Sequence, residues 1–194
     1  MLQKVLWKGG ALIAPLPPVL VTCGSMEKPN VLTIAWTGIL STQPPKTYIS
    51  VRPSRYSYDL IKGSGEFVIN LATVQLAKAV DFCGVRSGRE FDKFAIMGLV
   101  PEEASKVACP MLKQSPVSLE CRITDCVRLG SHDMFIADII AVDVDSQYID
   151  KDGKLHLDKC ALLAFAHGEY FELGKKVGHL GFSVRKKAKI GRKV

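Results

Sequence analysis

Residues 47–61 read TYISVRPSRYSYDLI, and two structural periods meet inside them. Thr47 to Val51 is β-branched and aromatic, the composition of a strand. Pro53 cannot donate to a ladder and ends it. Ser57 and Asp59 are residues that open a helix, and Gly63 is one that stops it. Between Arg52 and Tyr58 stand two arginines, two serines and two tyrosines. Fixed positive charge and small hydroxyls are thereby concentrated where a strand gives way to a helix N-terminus.

Outward from this junction the first half is strand-rich. PVLVTCG (18–24), NVLTIAW (30–36), KTYISV (46–51) and EFVINLA (66–72) are bounded by Gly, Pro, Asn or Ser. GILSTQPPK (38–46) reads as a connection, because Pro44–Pro45 cannot continue a regular ladder. The spacing of Leu76, Ala79, Val80 and Cys83 predicts a helix over 71–83. GVRSGREFDKF (84–94) reads as a loop running into another short helix. In the second half, residues 115–130 and 132–150 alternate apolar and polar, as half-buried antiparallel strands do. Gly130–Ser131 and Asp152–Gly153 supply turns.

Strands and helices do not alternate at length, so a doubly wound parallel sheet is excluded. No GxGxxG follows a strand, and there is no GxxxxGK[ST]. The expectation is a mainly β protein with short helices, antiparallel, in which barrel closure removes the exposed edges.

Composition bounds the function. A chain of 194 residues, 47% hydrophobic and 23% charged, reads as one globular domain with a substantial core. No apolar run reaches the length of a membrane span, and Pro15, Pro17 and Pro18 interrupt the only leader-like segment. The six cysteines include no CxxC pair and the four histidines no HExxH, so no metal site is expected. Free thiols point to a reducing, cytoplasmic setting. The net charge of +7 is concentrated in residues 183–194, SVRKKAKIGRKV, whose six cations leave the rest of the chain at +1. The chain therefore divides into a domain over 1–182 and a basic tail over 183–194. Without aromatic partners that tail is not a nucleic-acid footprint.

From Asn30 to Leu71 the chain resembles the flavin reductase-like family, flavoredoxins included. The resemblance rests on Asn30, Thr33, Ala35 and Trp36, then Pro44 and Pro45, then Pro53, Ser54, Arg55 and Ser57, then Phe67-Val68-Ile69-Asn70. SGREFDKF (87–94), His167-Gly-Glu-Tyr and the closing GHLGFSVRKK follow in order. The resemblance implies an antiparallel split β-barrel that binds FMN at a homodimer interface. It implies NADH or NADPH as electron donor, with electrons passing to flavin or, through bound FMN, to a further acceptor. The alternative is an electron carrier that serves a protein redox partner without acting as an enzyme. A haem-binding use of the same barrel is a third reading, and it leaves the Pro-Ser-Arg-x-Ser junction without a task.

On this reading the helix after Arg52 seats the FMN phosphate. Its free amides, the Ser54 and Ser57 hydroxyls and the Arg55 guanidinium are donors, with Arg52 beside them. The plainer alternative makes the arginines solvated and Ser57 a simple cap. Strand alternation puts Thr33, Ala35 and Thr37 on one side, small enough for a flat ring to approach the backbone. Asn30 and Trp36 belong to the same family region, Trp36 having a core role as its alternative. Lys93 is a candidate cation beside the flavin, or else a surface lysine paired with Glu90 or Asp92. His132 and His167 are candidates to border the ring or an incoming substrate. Hydride transfer needs no nucleophile or proton shuttle from the protein, so no catalytic side chain is assigned.

Overall fold

The computed structural model describes residues 3–184. Nearly all of the basic tail, from residue 185 on, lies outside them. The strands of the first half are β1 (Val19–Gly24), β2 (Pro29–Ile34), β3 (Thr37–Thr42), β4 (Pro45–Val51) and β5 (Glu66–Leu71). Helix α1 (Tyr56–Ser64) lies between β4 and β5, and α2 (Ala77–Val85) and α3 (Lys93–Met97) follow. Two-residue strands β6 (Pro101–Glu102) and β7 (Met111–Leu112) lead to the long pair β8 (Val117–Arg128) and β9 (Asp133–Val144). A hairpin of β10 (Leu163–Ala166) and β11 (Glu169–Glu172) comes last.

The main sheet runs β2-β1-β5-β8-β9-β4-β3, antiparallel throughout. Its two edge strands, β2 and β3, are consecutive in the chain and separated only by Ala35 and Trp36. A flat sheet of seven strands is about 29 Å across, and two extended residues reach only about 7 Å. The sheet therefore has to curl until its edges meet. Next to the seam the Ser50 amide of β4 donates to the Trp36 carbonyl at 2.9 Å, extending the β3–β4 ladder into the joint. Because β2 and β3 do not pair with each other, the result is a split barrel.

Three apolar clusters stabilise it, the smallest formed by Val68, Val107 and Cys109. Inside the barrel Val19, Val21, Leu32, Ile34, Ile49, Phe67, Ile69 and Phe135 pack together, and Tyr58 and Ile61 of α1 join them. On the outer face Leu20 and Val31 pack against Ala79, Val80 and Cys83 of α2 and Phe94 of α3. Strand β1 is buried on both faces, which is why its sequence, VLVTC, is nearly continuous in apolar residues.

Three expectations need correction. Within 38–46, read as a connection, residues 38–42 belong to β3; the prolines sit at the turn, with Pro45 the first residue of β4. The helix expected from Leu71 starts at Ala77, after the last residue of β5 and a short 3-10 turn at Val74–Leu76. The β10–β11 hairpin was not predicted as strand at all. No helix among the described residues is long and apolar enough to cross a membrane.

Candidate functional site

Where β4 ends, the chain turns on an Arg55 N–H to Arg52 carbonyl bond of 3.0 Å and enters α1. Arg55 is the N-cap residue, extended and without a side-chain cap. Ser57 is therefore not the cap. It is buried inside the first turn, where its hydroxyl accepts from Asn30 Nδ2 at 2.7 Å. Asn30 also donates to the Cys23 thiol at 3.4 Å, so it clamps β2 to α1 rather than opening toward solvent. The amides of Tyr56 and Ser57 have no backbone acceptor. They are the orphan donors of a helix start, with the positive end of the helix dipole behind them.

These groups border a cavity of about 310 Å³. Arg52, Ser54, Arg55 and Ser57 line it on one side; Cys83, Arg86, Arg89 and Lys93 line it on the other. Among the described residues none of its five cations is in an ion pair with a carboxylate, although Glu90 stands on the same wall. Lys93 is not a surface residue. It is 5% exposed, and Nζ donates to the Val31 carbonyl at 2.8 Å and the Cys83 carbonyl at 3.0 Å. Burial pulls its pKa below the usual lysine value, and Arg55 adds to the shift. The Cys83 thiol is pushed up to about 11 by the same burial, so it is no nucleophile at neutral pH.

A second cavity, about 480 Å³, adjoins the first through Leu32, Thr33, Arg52, Arg55 and Gly84. Its remaining wall is largely apolar: Ile34, Ala35, Trp36, Val85, Phe165 and Tyr170, with His132 and Asp81. Trp36 is 44% exposed and stacks parallel to His132, ring centres 6.4 Å apart. A core role for Trp36 is thereby excluded. The amides of Ala35 and Trp36 lie between the two strands and have no backbone partner. Thr33 gives its hydroxyl proton to the Val80 carbonyl, and only its surface faces the cavity. Burial lowers the His132 pKa, and the charges of Arg52 and Arg55 lower it further.

Thr33, Ala35, Trp36, Arg52, Ser54, Arg55, Ser57, Lys93 and His132 thus line the two joined cavities. Three other candidates do not. Asn30 supports the first cavity from behind Ser57. Thr37 is buried, its hydroxyl bonded to the Tyr48 carbonyl at 2.6 Å, because the kink at Ala35–Trp36 breaks the alternation that put it beside Thr33 and Ala35. His167 occupies the β10–β11 turn with φ of 51° and borders a different hollow, beside residues 11–14 and Trp36. Sequence reasoning missed Arg86 and Arg89. Their signal was in SGREFDKF and its preceding residue, where only Lys93 was singled out. Gly88 was missed too: a Cβ there would lie 2.2 Å from Asn30 Oδ1 and 3.0 Å from the Tyr56 ring.

The split barrel thus carries a cationic cavity that opens into a largely apolar one with aromatic side chains on its wall. Residues 13–174 match the family of the flavin reductase like domain, and the chain belongs to that family. It superposes on flavoredoxin of Desulfovibrio vulgaris (Miyazaki F) with a TM-score of 0.87 and 28% identity, covering 94% of this chain and 100% of that one. An uncharacterized protein of Archaeoglobus fulgidus is 34% identical over 81% of this chain and 87% of its own length. NADPH-flavin oxidoreductase of Streptomyces viridifaciens is 28% identical over 65% of each chain.

Proposed function

We propose that the chain is an FMN-dependent oxidoreductase that takes electrons from NADH or NADPH and passes them to flavin or, through bound FMN, to a further acceptor. The observation that carries this reading is the junction of the two cavities at Arg52 and Arg55. Five unpaired cations and two free helix amides suit a phosphate of nearly two negative charges. The adjoining cavity, with Trp36 and His132 on its wall and free amides at Ala35 and Trp36, suits a flat ring with a polar edge.

FMN, when bound, would supply a two-electron acceptor for a hydride from the nicotinamide donor. The residues would do the rest by position. Arg52, Arg55, Ser54 and the amides of α1 would fix the phosphate end. The amides at Ala35 and Trp36 would hold the ring's polar edge and stabilise negative charge developing there. Trp36 and His132 limit water on one side and leave room for a second flat ring to stack at about 3–3.5 Å.

Anaerobic addition of NADH or NADPH to the FMN-loaded protein tests this. Bleaching of the flavin absorption band is expected with one nucleotide or both. Bound FMN that neither nucleotide bleaches would leave the second reading, an electron carrier serving a protein partner, which the similarity to a flavoredoxin favours. A haem spectrum in place of a flavin one would overturn both.

The same reading includes a homodimer with the cleft near its interface. Directly after Trp36, Ile39 and Leu40 on edge strand β3 are 64% and 47% exposed. Val5, Leu6, Trp7 and Ile13 of the leading segment are more exposed still. So many exposed large apolar side chains are unusual for a monomer. Sedimentation is expected to give about twice the 21.2 kDa chain mass.

A further inference from the structure

The first cavity holds more positive charge than one phosphate monoester uses. Arg52 and Arg55 stand at the junction with the ring cavity, and Lys93 is buried in the wall with two protons committed to carbonyls. Arg86 and Arg89 are exposed, as Arg52 and Arg55 are, but they line the first cavity alone, and among the described residues neither has a carboxylate partner. They are nonetheless held in place: the Arg86 guanidinium lies 5.4 Å from the Phe91 ring centre and that of Arg89 lies 5.5 Å from the Tyr56 ring centre. Arg89 Nη1 also donates to the Ser54 carbonyl at 3.3 Å. Stacking fixes a guanidinium without neutralising it, which leaves its remaining N–H donors free for a pair of anionic oxygens.

We propose that Arg86 and Arg89 form a second phosphate subsite that takes the 2′-phosphate of the nicotinamide donor, so that the protein discriminates for NADPH against NADH. The assignment rests on the FMN reading above. Its physical basis is placement. The cofactor phosphate is seated on the α1 amides and the two arginines shared with the ring cavity, which leaves Arg86 and Arg89, on the wall away from that junction, for a donor that arrives and leaves with each turnover. A phosphate that only one of two otherwise identical nucleotides carries is read by charge-assisted bonds, each worth about tenfold in binding.

The test uses the full chain with FMN bound. Calorimetry is expected to show 2′,5′-ADP binding about 10- to 100-fold tighter than 5′-AMP. In Arg86→Gln/Arg89→Gln that difference should collapse to within about threefold, and the NADPH:NADH ratio of kcat/KM should fall by a similar factor. Arg86→Lys/Arg89→Lys, which keeps the charge and loses the fork, is expected to fall between the two. Equal affinity for 2′,5′-ADP and 5′-AMP in the wild-type holoprotein overturns the proposal while leaving FMN binding intact. If instead FAD is held more tightly than FMN and the glutamine pair erases only that difference, the second phosphate belongs to the cofactor and the proposal also falls. Failure to retain FMN at all would be the failure of the underlying reading, visible before any nucleotide is added.

Discussion

The two ends of the cleft are assembled differently. The cationic end is supplied almost entirely by two short runs, residues 52–57 and 83–93. The apolar end draws on Pro18, the β2–β3 joint, Ser50, α2, the β8–β9 turn and the β10–β11 hairpin. At the cationic end charges point at one volume and are braced by aromatic rings, buried carbonyls and a helix start. At the apolar end free amides and stacked rings offer shape with little charge. Preorganised charge gives affinity, and a flat wall with an accessible face gives room for a second ring. On the function proposed above, the difference teaches that gripping phosphate and seating a flat ring are tasks of separate parts of one cleft.

The largest expected effect tests that division directly. Arg55→Ala removes the one cation that is both the N-cap of α1 and a wall of both cavities. FMN affinity, read by flavin fluorescence quenching, should fall about 10- to 100-fold, while thermal stability of the apoprotein barely changes. Unchanged affinity would place the phosphate elsewhere.

Gly88→Ala comes next. The new methyl would press on Asn30, which cannot yield cheaply because Ser57 and Cys23 hold it. Displacing the loop should cost about 1–3 kcal/mol, seen as a lower melting temperature, and should weaken FMN binding through Ser57, which Asn30 holds. A variant as stable as the wild type would show that the loop is not braced against α1.

Trp36→Ala acts at the other end. Losing an aromatic wall is worth about 0.5–1.5 kcal/mol, so FMN affinity should drop about three- to tenfold while the rate of flavin bleaching by the donor changes by more. An Arg55-sized loss of FMN with an unaltered bleaching rate would erase the distinction between the ends.

The same distinction explains what could be read from the chain beforehand. Arg52, Ser54, Arg55 and Ser57 are neighbours in sequence, so a strand-to-helix junction brings them together without any knowledge of the rest. Trp36 and His132 are nearly a hundred residues apart, and only barrel closure stacks them. Thr37 failed for the same reason: period-2 alternation assumes an unbroken strand, and the kink that closes the barrel falls at Ala35–Trp36. Strand β3 was hidden because a Pro-Pro pair was weighed as a breaker, although proline is tolerated at a turn and at the first position of a strand. Lys93 was named, but its burial was not legible. Two carbonyls from β2 and α2 satisfy it, and nothing local in SGREFDKF announces them.

The smallest effect asks whether the ends are independent. His132 sits on the apolar wall, yet Arg52 and Arg55 reach it electrostatically and, with burial, hold its pKa below the ordinary 6.5. A base whose folded pKa is depressed binds fewer protons folded than unfolded between its two pKa values, so stability rises with pH through that window. As pH falls below about 6.5 the apoprotein should lose stability, and His132→Asn should flatten that slope. An anion seated on the arginines cancels the repulsion and lets the folded pKa climb, which narrows the window. Proton NMR titration of His132 should therefore move to higher pH when FMN binds and, more weakly, with inorganic phosphate. The first effect should shrink in Arg52→Ala, whose own apo value starts higher. A midpoint that ignores both ligands would mean that charge at one end is not felt at the other, and the cleft would then be two separate sites that merely touch.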